Sequence, residues 1–417
     1  MPAFRLLHTS DWHLGALFHD QPRDAEEQRA LDAVIAVAHR EQVDAVIIAG
    51  DIFDSVNPPA PAQALYYRTL LRLVQEAGVG SVMVIGGNHD QGLRLDGPRD
   101  VLAAVQVHVR GQLTRDRDPG DVVVAIRSRQ GSTVGWAALV PYLREGDVAS
   151  FPLGRPSQAI AEQQAAAQSL RLAAVRAALK AKAQGLPTVA VAHAFAAGGQ
   201  LGGSERPVYA EAVVGRLSCS DLTPLAEGSA YLALGHLHRP QRVGGRDHWR
   251  YCGSLLPMAM DETVSQRQVL IAEIPVDGGP AAVREIPLPG GRRYARLQGT
   301  PAEVQGDIPG LAAPAAGDLE PWCDVTVDLS ATDPGLVRDI EERIVERGWR
   351  ALAVRRRQNV PAGTLWASGT SGARADLQQL RPADVFQAVA SGQGVDLSAE
   401  LTEDFARLLA MVQQAES

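Results

Sequence analysis

Lysine is almost missing from this chain: Lys180 and Lys182 are the only two, and every other basic residue is arginine. Because the composition also leans towards Ala, Gly and Pro, this is read as a compositional bias and not as an arginine-specific function. Three cysteines, Cys219, Cys252 and Cys323, are too few and too far apart for a disulfide framework or a C-x-x-C zinc site, which fits a reducing compartment. No apolar run approaches the ~18 residues of a membrane span. Residues 1–7 lack the apolar stretch of a signal peptide, so a cytoplasmic address and no membrane association are expected. No G-x-x-x-x-G-K-[ST] is present, so no nucleotide is expected to bind this chain. Excess positive charge is absent too. The formal net charge of −8 repels a polyanion at long range and excludes a simple basic nucleic-acid coat. What is there is globular: 417 residues, 46% hydrophobic and 21% charged, enough for two or three domains with a real core.

Short β-rich apolar runs alternate with helical patterns through about residue 260, the mark of a layered α/β domain. Strands are predicted at 4–9, 45–49, 82–85, 122–126, 135–140, 188–192 and 231–234, and helices at 25–40, 61–76 and 159–183. The first domain is set at 1–266. A small α+β module is expected over 267–360, with strands at 268–274, 293–297, 324–329 and 351–355 and a helix at 334–347, in the order β-β-β-α-β. The Pro/Gly/Ala-rich stretches 276–280 and 301–317 read as its loops. Residues 361–381, dense in Gly, Ser and Thr, read as a linker. Residues 382–417 carry two helical patterns too short to fold alone, which implies a partner surface.

Polar residues of metal-binding type fall at strand ends. Asp11 and His13 follow the first strand, Asp51 and Asp54 the second, and Asn88 and His89 the third, while His193, and His236 with His238, close two later ones. In α/β sheets the C-terminal strand edge is where sites are built, so residues distant in sequence are expected to converge there. Five of the ten histidines occupy such ends. A lone H-x-H carries little weight, whereas the conjunction does. Carboxylate, amide and imidazole donors without thiolate suit borderline-hard divalent ions, and two ions sharing Asp51 are plausible.

The strings D-x-H, G-D-x-x-D, G-N-H-D, a single His and G-H-x-H, in that order, resemble the calcineurin-like metallophosphoesterase superfamily. The fuller strings at residues 8–15 (H-T-S-D-W-H-L-G), 50–54 and 87–90, with the chain length and tail, resemble its SbcD-type nuclease members. The resemblance spans nearly the whole chain. It implies a two-sheet sandwich flanked by helices, a cap module and C-terminal helices. It implies two Mn²⁺, with Mg²⁺ or Fe²⁺ as substitutes: one held by Asp11, His13, Asp51 and His238, the other by Asp51, Asn88, His193 and His236. His89 would protonate the leaving 3′-oxygen while a metal-activated water attacks phosphorus. Asp54 is expected to pair with His89 and fix its tautomer; capping a turn before Ser55 is the other reading. Asp90 is expected to bond loop amides.

The same resemblance implies a Mn²⁺-dependent DNA 3′→5′ exonuclease and single-strand endonuclease of recombination, replication and repair, cytoplasmic and nucleoid-associated. A coiled-coil ATPase of the SbcC type would dock on residues 382–417, and a homodimer would form through the helix at 61–76, although from the sequence alone that helix reads first as an amphipathic core helix. Arg94 and Arg99 would clamp DNA phosphates or make surface ion pairs. Arg355 and Arg357, in the cluster with Arg350 and Arg356, would contact DNA or guard an edge strand. Two rival functions remain at this point: hydrolysis of small or cyclic phosphodiesters, and a catalytically silent assembly adaptor.

Overall fold

The computed structural model describes residues 3–148, 157–200, 220–289, 291–329 and 333–357, together with Leu401 and Phe405. The expected linker and helical pair at 361–417 otherwise lie outside the described residues.

Two six-stranded sheets form the larger part of the molecule. The first runs β14 (Ala282–Pro287), β13 (Gln268–Ile274), β1 (Phe4–Thr9), β4 (Ala45–Ala49), β5 (Ser81–Ile85), β6 (Val107–Arg110); β1, β4, β5 and β6 are parallel. The second runs β11 (Gln241–Val243), β12 (Arg246–Tyr251), β10 (Tyr231–Gly235), β9 (Thr188–His193), β8 (Thr133–Val140), β7 (Val123–Arg127), with β8, β9, β10 and β12 parallel. β4 and, after Ser81, β5 are continuous apolar runs because both faces are covered. Alternate residues serve alternate layers. Ala45, Ile47 and Ala49 meet Val189, Val191 and Ala233 between the sheets, whereas Val46 and Ile48 face the helices Asp24–Arg40 and Ala60–Gln75. On the far side, Leu172, Val175 and Leu179 of the helix Ser157–Ala183 cover Val140, Ala190 and Leu232. The result is the expected layered α/β sandwich, with helices on both outer faces.

A third, parallel sheet orders β15 (Tyr294–Gly299), β16 (Trp322–Asp328) and β17 (Arg350–Arg357). Two expectations are corrected here. Residues 268–274 do not open this module: β13 lies antiparallel to β1, with Leu6 opposite Ala272, because its nearly all-buried residues need cover on both faces. The module therefore reads β-α-β-α-β. Part of the presumed loop at 301–317 is the helix Pro301–Asp307, held by a Thr300/Glu303 capping box, the T-x-x-E signal that the surrounding Pro, Gly and Ala obscured. A hairpin of β2 (Leu17–Phe18) and β3 (Gln21–Pro22) joins the sandwich to the module. Phe18 packs with Met260 and Trp322, and Arg350 donates to Gln21.

Candidate metal centre

The C-terminal ends of β1, β4, β5, β9 and β10 converge, and the backbone bends sharply to aim their side chains. Asp11, His13, Asp51 and His236 all have positive φ, at 51°, 45°, 47° and 104°. Non-glycine residues rarely hold such values, and they concentrate at functional sites. Gly87 and Gly235 permit the close approach: a Cβ would stand 2.1 Å from Asp51 Oδ1 at Gly87 and 1.9 Å from the Ala49 carbonyl at Gly235.

The seven expected ligands come together. His13 and His238 face one another, Nε2 to Nε2, at 3.2 Å. Asp51 Oδ2 lies 3.3 Å from His193 Nε2 and 3.7 Å from His13 Nε2. Asn88 Oδ1 is 3.0 Å from His193 Nε2 and 2.9 Å from His236 Nδ1. The His193 Nδ1–H donates to the Ala49 carbonyl at 2.8 Å, so Nε2 is turned to the centre. Burial opposes a charge on His193, but the adjacent Asp51 outweighs it and raises the pKa to about 9. Burial, with His193 next to it, presses His236 down to about 3.

These residues fit a cation pair. Asp11 and Asp51 are at most 2% exposed, and Asp11 Oδ2 has no hydrogen-bond partner among the described residues. Unpaired carboxylate oxygen at that depth is costly, and a bound cation would satisfy it. Ligand atoms of Asp11, His13 and His238 all lie within 4.8 Å of one another, as do those of Asp11, Asp51 and His193. Such an Asp/His/Asn cluster suits a dinuclear site.

His89 and Asp54 are adjacent, but not as expected. His89 Nδ1–H donates to the backbone carbonyl of Asp54 at 2.9 Å, whereas the Asp54 carboxylate stands 3.5 Å from His13 Nδ1. Burial would raise the Asp54 pKa; the neighbouring His13 imidazole more than offsets this and lowers it. The His89 amide donates to Asp51 Oδ1 at 2.9 Å. Asp90 bonds loop amides, as expected: it accepts from Gly87, Ile52 and Phe53 at 2.8–3.1 Å and ties the β4 and β5 ends together.

The four arginines are each held by partners outside the ligand set. Arg94 donates to Asn57 and Gln91, and Arg99 to Asp100. Arg355 contacts Asp324 and His19, and Arg357 grips both oxygens of Asp328. Sequence reasoning missed Tyr142 and Arg144, just past β8. Tyr142 stacks on His236, with ring centroids 6.2 Å apart, and Arg144 bonds the loop of Asn88 and His89. The signal was available, since β8 is another apolar run that ends at the same edge.

Fold and site together define a metal-dependent phosphoesterase, and the calcineurin-like phosphoesterase family matches residues 4–127. The SbcD component of the SbcCD nuclease of Escherichia coli K12 is 31% identical over 350 residues, 82% of this chain and 81% of that one. Its counterpart in Rhodobacter capsulatus is 34% identical over 74% of each chain, and that of Bacillus subtilis 32% identical over 69% of this chain and 70% of its own. This chain belongs to the SbcD family of nucleases, and it is a metal-dependent phosphodiesterase.

Proposed function

We propose that the chain is a Mn²⁺-dependent DNA nuclease, a 3′→5′ exonuclease and single-strand endonuclease that works in recombination, replication and repair. The observation that carries this reading is the convergence at one sandwich edge of the buried Asp11, His13, Asp51, His193 and His238 with the partly buried Asn88 and His236, in a chain whose relatives are components of nucleases. Asp11, His13, Asp51 and His238 would hold one ion, and Asp51, Asn88, His193 and His236 the other. When bound, the ions supply Lewis-acid charge for phosphate and make water acidic enough to serve as nucleophile near neutral pH.

The chain's own groups do the rest. Asp51 is the shared anion, and its Oδ1 also takes the His89 amide, which couples metal binding to the placement of that imidazole. Because His89 Nδ1–H is committed to the Asp54 carbonyl, Nε2 is the nitrogen left to face substrate. We assign it the proton delivered to the leaving 3′-oxygen. Asp54 holds His13 from behind and positions His89 through its backbone.

Residues 294–357 are proposed as a cap on the DNA path, residues 382–417 as the docking segment for an SbcC-type ATPase, and the functional unit as a cytoplasmic, nucleoid-associated homodimer. Among the described residues no helix is long and apolar enough to cross a membrane. The test is degradation of linear and hairpin DNA by the full-length protein with and without that partner, in Mn²⁺ and in Mg²⁺. Mn²⁺-dependent release of nucleotides that His89→Asn abolishes is expected. Absence of DNA cleavage under every condition, with turnover of a small phosphodiester, overturns the DNA assignment.

A further inference from the structure

The end of β8 reaches across from the second sheet to the loop that carries Asn88 and His89. Pro141 turns the chain, and the Tyr142 amide donates to the Gly86 carbonyl at 2.9 Å, which stitches β8 to the end of β5 in the opposite sheet. Two residues on, the Arg144 guanidinium donates to the Asp90 carbonyl at 2.8 Å and approaches the Asn88 carbonyl at 3.5 Å. Those carbonyls belong to the residues on either side of His89. One guanidinium nitrogen, Nη2, set between both carbonyls holds the peptide units that aim Asn88 and His89, and the Asp90 carboxylate anchors the same loop by accepting from the amides of Gly87, Ile52 and Phe53. The Arg144 backbone is steadied in turn, its amide N–H donating to Asp147 Oδ2 at 3.0 Å. The intervening Tyr142 stacks on His236, at 6.2 Å and 25°, and meets His193 edge-on at 6.2 Å and 77°. One short segment thus touches the supports of Asn88, His193 and His236 together.

We propose that Arg144 is a positioning residue for the second ion: it holds the loop of residues 87–90 so that Asn88 completes the Asn88–His193–His236 ligand set, with Tyr142 backing the two imidazoles. The inference rests on the two-ion reading above. It differs from a surface arginine that meets DNA phosphate, because both acceptors of the guanidinium are backbone carbonyls of the ligand-bearing loop. Partners that orient metal ligands without touching the ion typically change affinity by about 10–100-fold when removed.

The experiment is a calorimetric Mn²⁺ titration of the metal-free full-length protein, with steady-state cleavage of linear DNA alongside. Wild type is expected to show two steps, and Asn88→Ala to lose the weaker one. Arg144→Met is expected to weaken that same step at least tenfold, to leave the tighter step in place, and to lower kcat with KM for DNA little changed. Arg144→Lys, which keeps one cationic donor, should recover most of the loss. A folded Arg144→Met protein with both steps intact and a raised KM makes Arg144 a DNA contact and overturns the proposal. Should Arg144→Met fail to fold, Arg144→Gln is read against the same tenfold threshold. A wild type that binds a single ion overturns the two-ion reading, and this proposal with it; two ions in wild type with an unaltered second step in the variant overturn the Arg144 assignment alone.

Discussion

His89 is oriented by the backbone of Asp54 and not by its carboxylate: Nδ1 lies 2.9 Å from the Asp54 carbonyl oxygen, while the carboxylate turns to His13. Any residue at position 54 supplies that carbonyl. Asp54→Asn should therefore keep the His89 tautomer and cost DNA hydrolysis less than about tenfold, whereas His89→Asn, which removes the proton donor, should cost about 10²–10⁴. A pH–rate profile of Asp54→Asn whose acidic limb moves by a full unit would restore the carboxylate to the role expected from sequence.

Asp11 and Asp51 are buried beside four imidazoles, and metal binding is expected to stabilise the folded chain. At Mn²⁺ about a hundredfold above the dissociation constant the gain is about 2.7 kcal/mol. Thermal unfolding in chelator and then in excess Mn²⁺ checks this. An unchanged midpoint would mean that the cluster does not bind ions tightly in the folded state.

Burial raises the Glu27 pKa from 4.5 to about 7, against the opposing hydrogen bond from the Gly15 amide and the charge of Arg23. The folded value lies above the unfolded one. Stability from the protonated form is thus complete below about pH 4.5 and is lost as pH rises through 7, by up to about 3 kcal/mol. Glu27→Gln keeps an acceptor for Gly15 and cannot ionise. Its melting temperature should exceed that of wild type at pH 8 and approach it at pH 5; the reverse order would refute the assignment.

Gly235→Ala should damage fold and site together. The new methyl would sit 1.9 Å from the Ala49 carbonyl and 2.9 Å from His193 Nδ1, the two groups whose hydrogen bond sets the His193 tautomer. A loss of about 1–3 kcal/mol is expected by denaturant titration, together with weakened Mn²⁺ binding. Full metal affinity in the variant would show that the Ala49–His193 bond is dispensable.

Arg355 and Arg357 are each matched by an acid of β16, Asp324 and Asp328. Their charge is largely compensated within the sheet, so alanine at either position should change DNA affinity less than about twofold and leave the salt dependence nearly unaltered. A salt slope reduced by a full unit would identify a phosphate contact.

The convergence of the seven candidate ligands was legible because each stands at or just past the end of an apolar run, and strand ends of a parallel sheet share an edge. Asp11, Asp51, Asn88 and His193 could be placed on that ground without knowing any register. The orientation of His89 was hidden for the opposite reason: its acceptor is a main-chain oxygen, and every residue has one. The place of Arg144 at the end of β8 was legible, but its partners were not, since both are carbonyls. The placement of β13 escaped because its apolar run would suit either the sandwich or the module, and only the exposed flank of β1 decides between them. Thr300 and Glu303 did spell out a helix start, but the proline- and glycine-rich stretch around them argued more loudly for a loop.

Asp11, His13, Asp51 and Asn88 hang from the first sheet, and His193, His236 and His238 from the second. The centre therefore has no single scaffold: it spans the seam where two independent sheets meet, and its dimensions are the distance and angle at which they stack. Apolar residues such as Ile47 and Val191, buried in the same layer between the sheets and in contact with no ion, act as the spacer of the reactive edge. A substitution there that thins or thickens the seam by a fraction of an ångström would reach the metal ions as a change in bite, and the hydrophobic core of this protein is in that sense one of its catalytic parts.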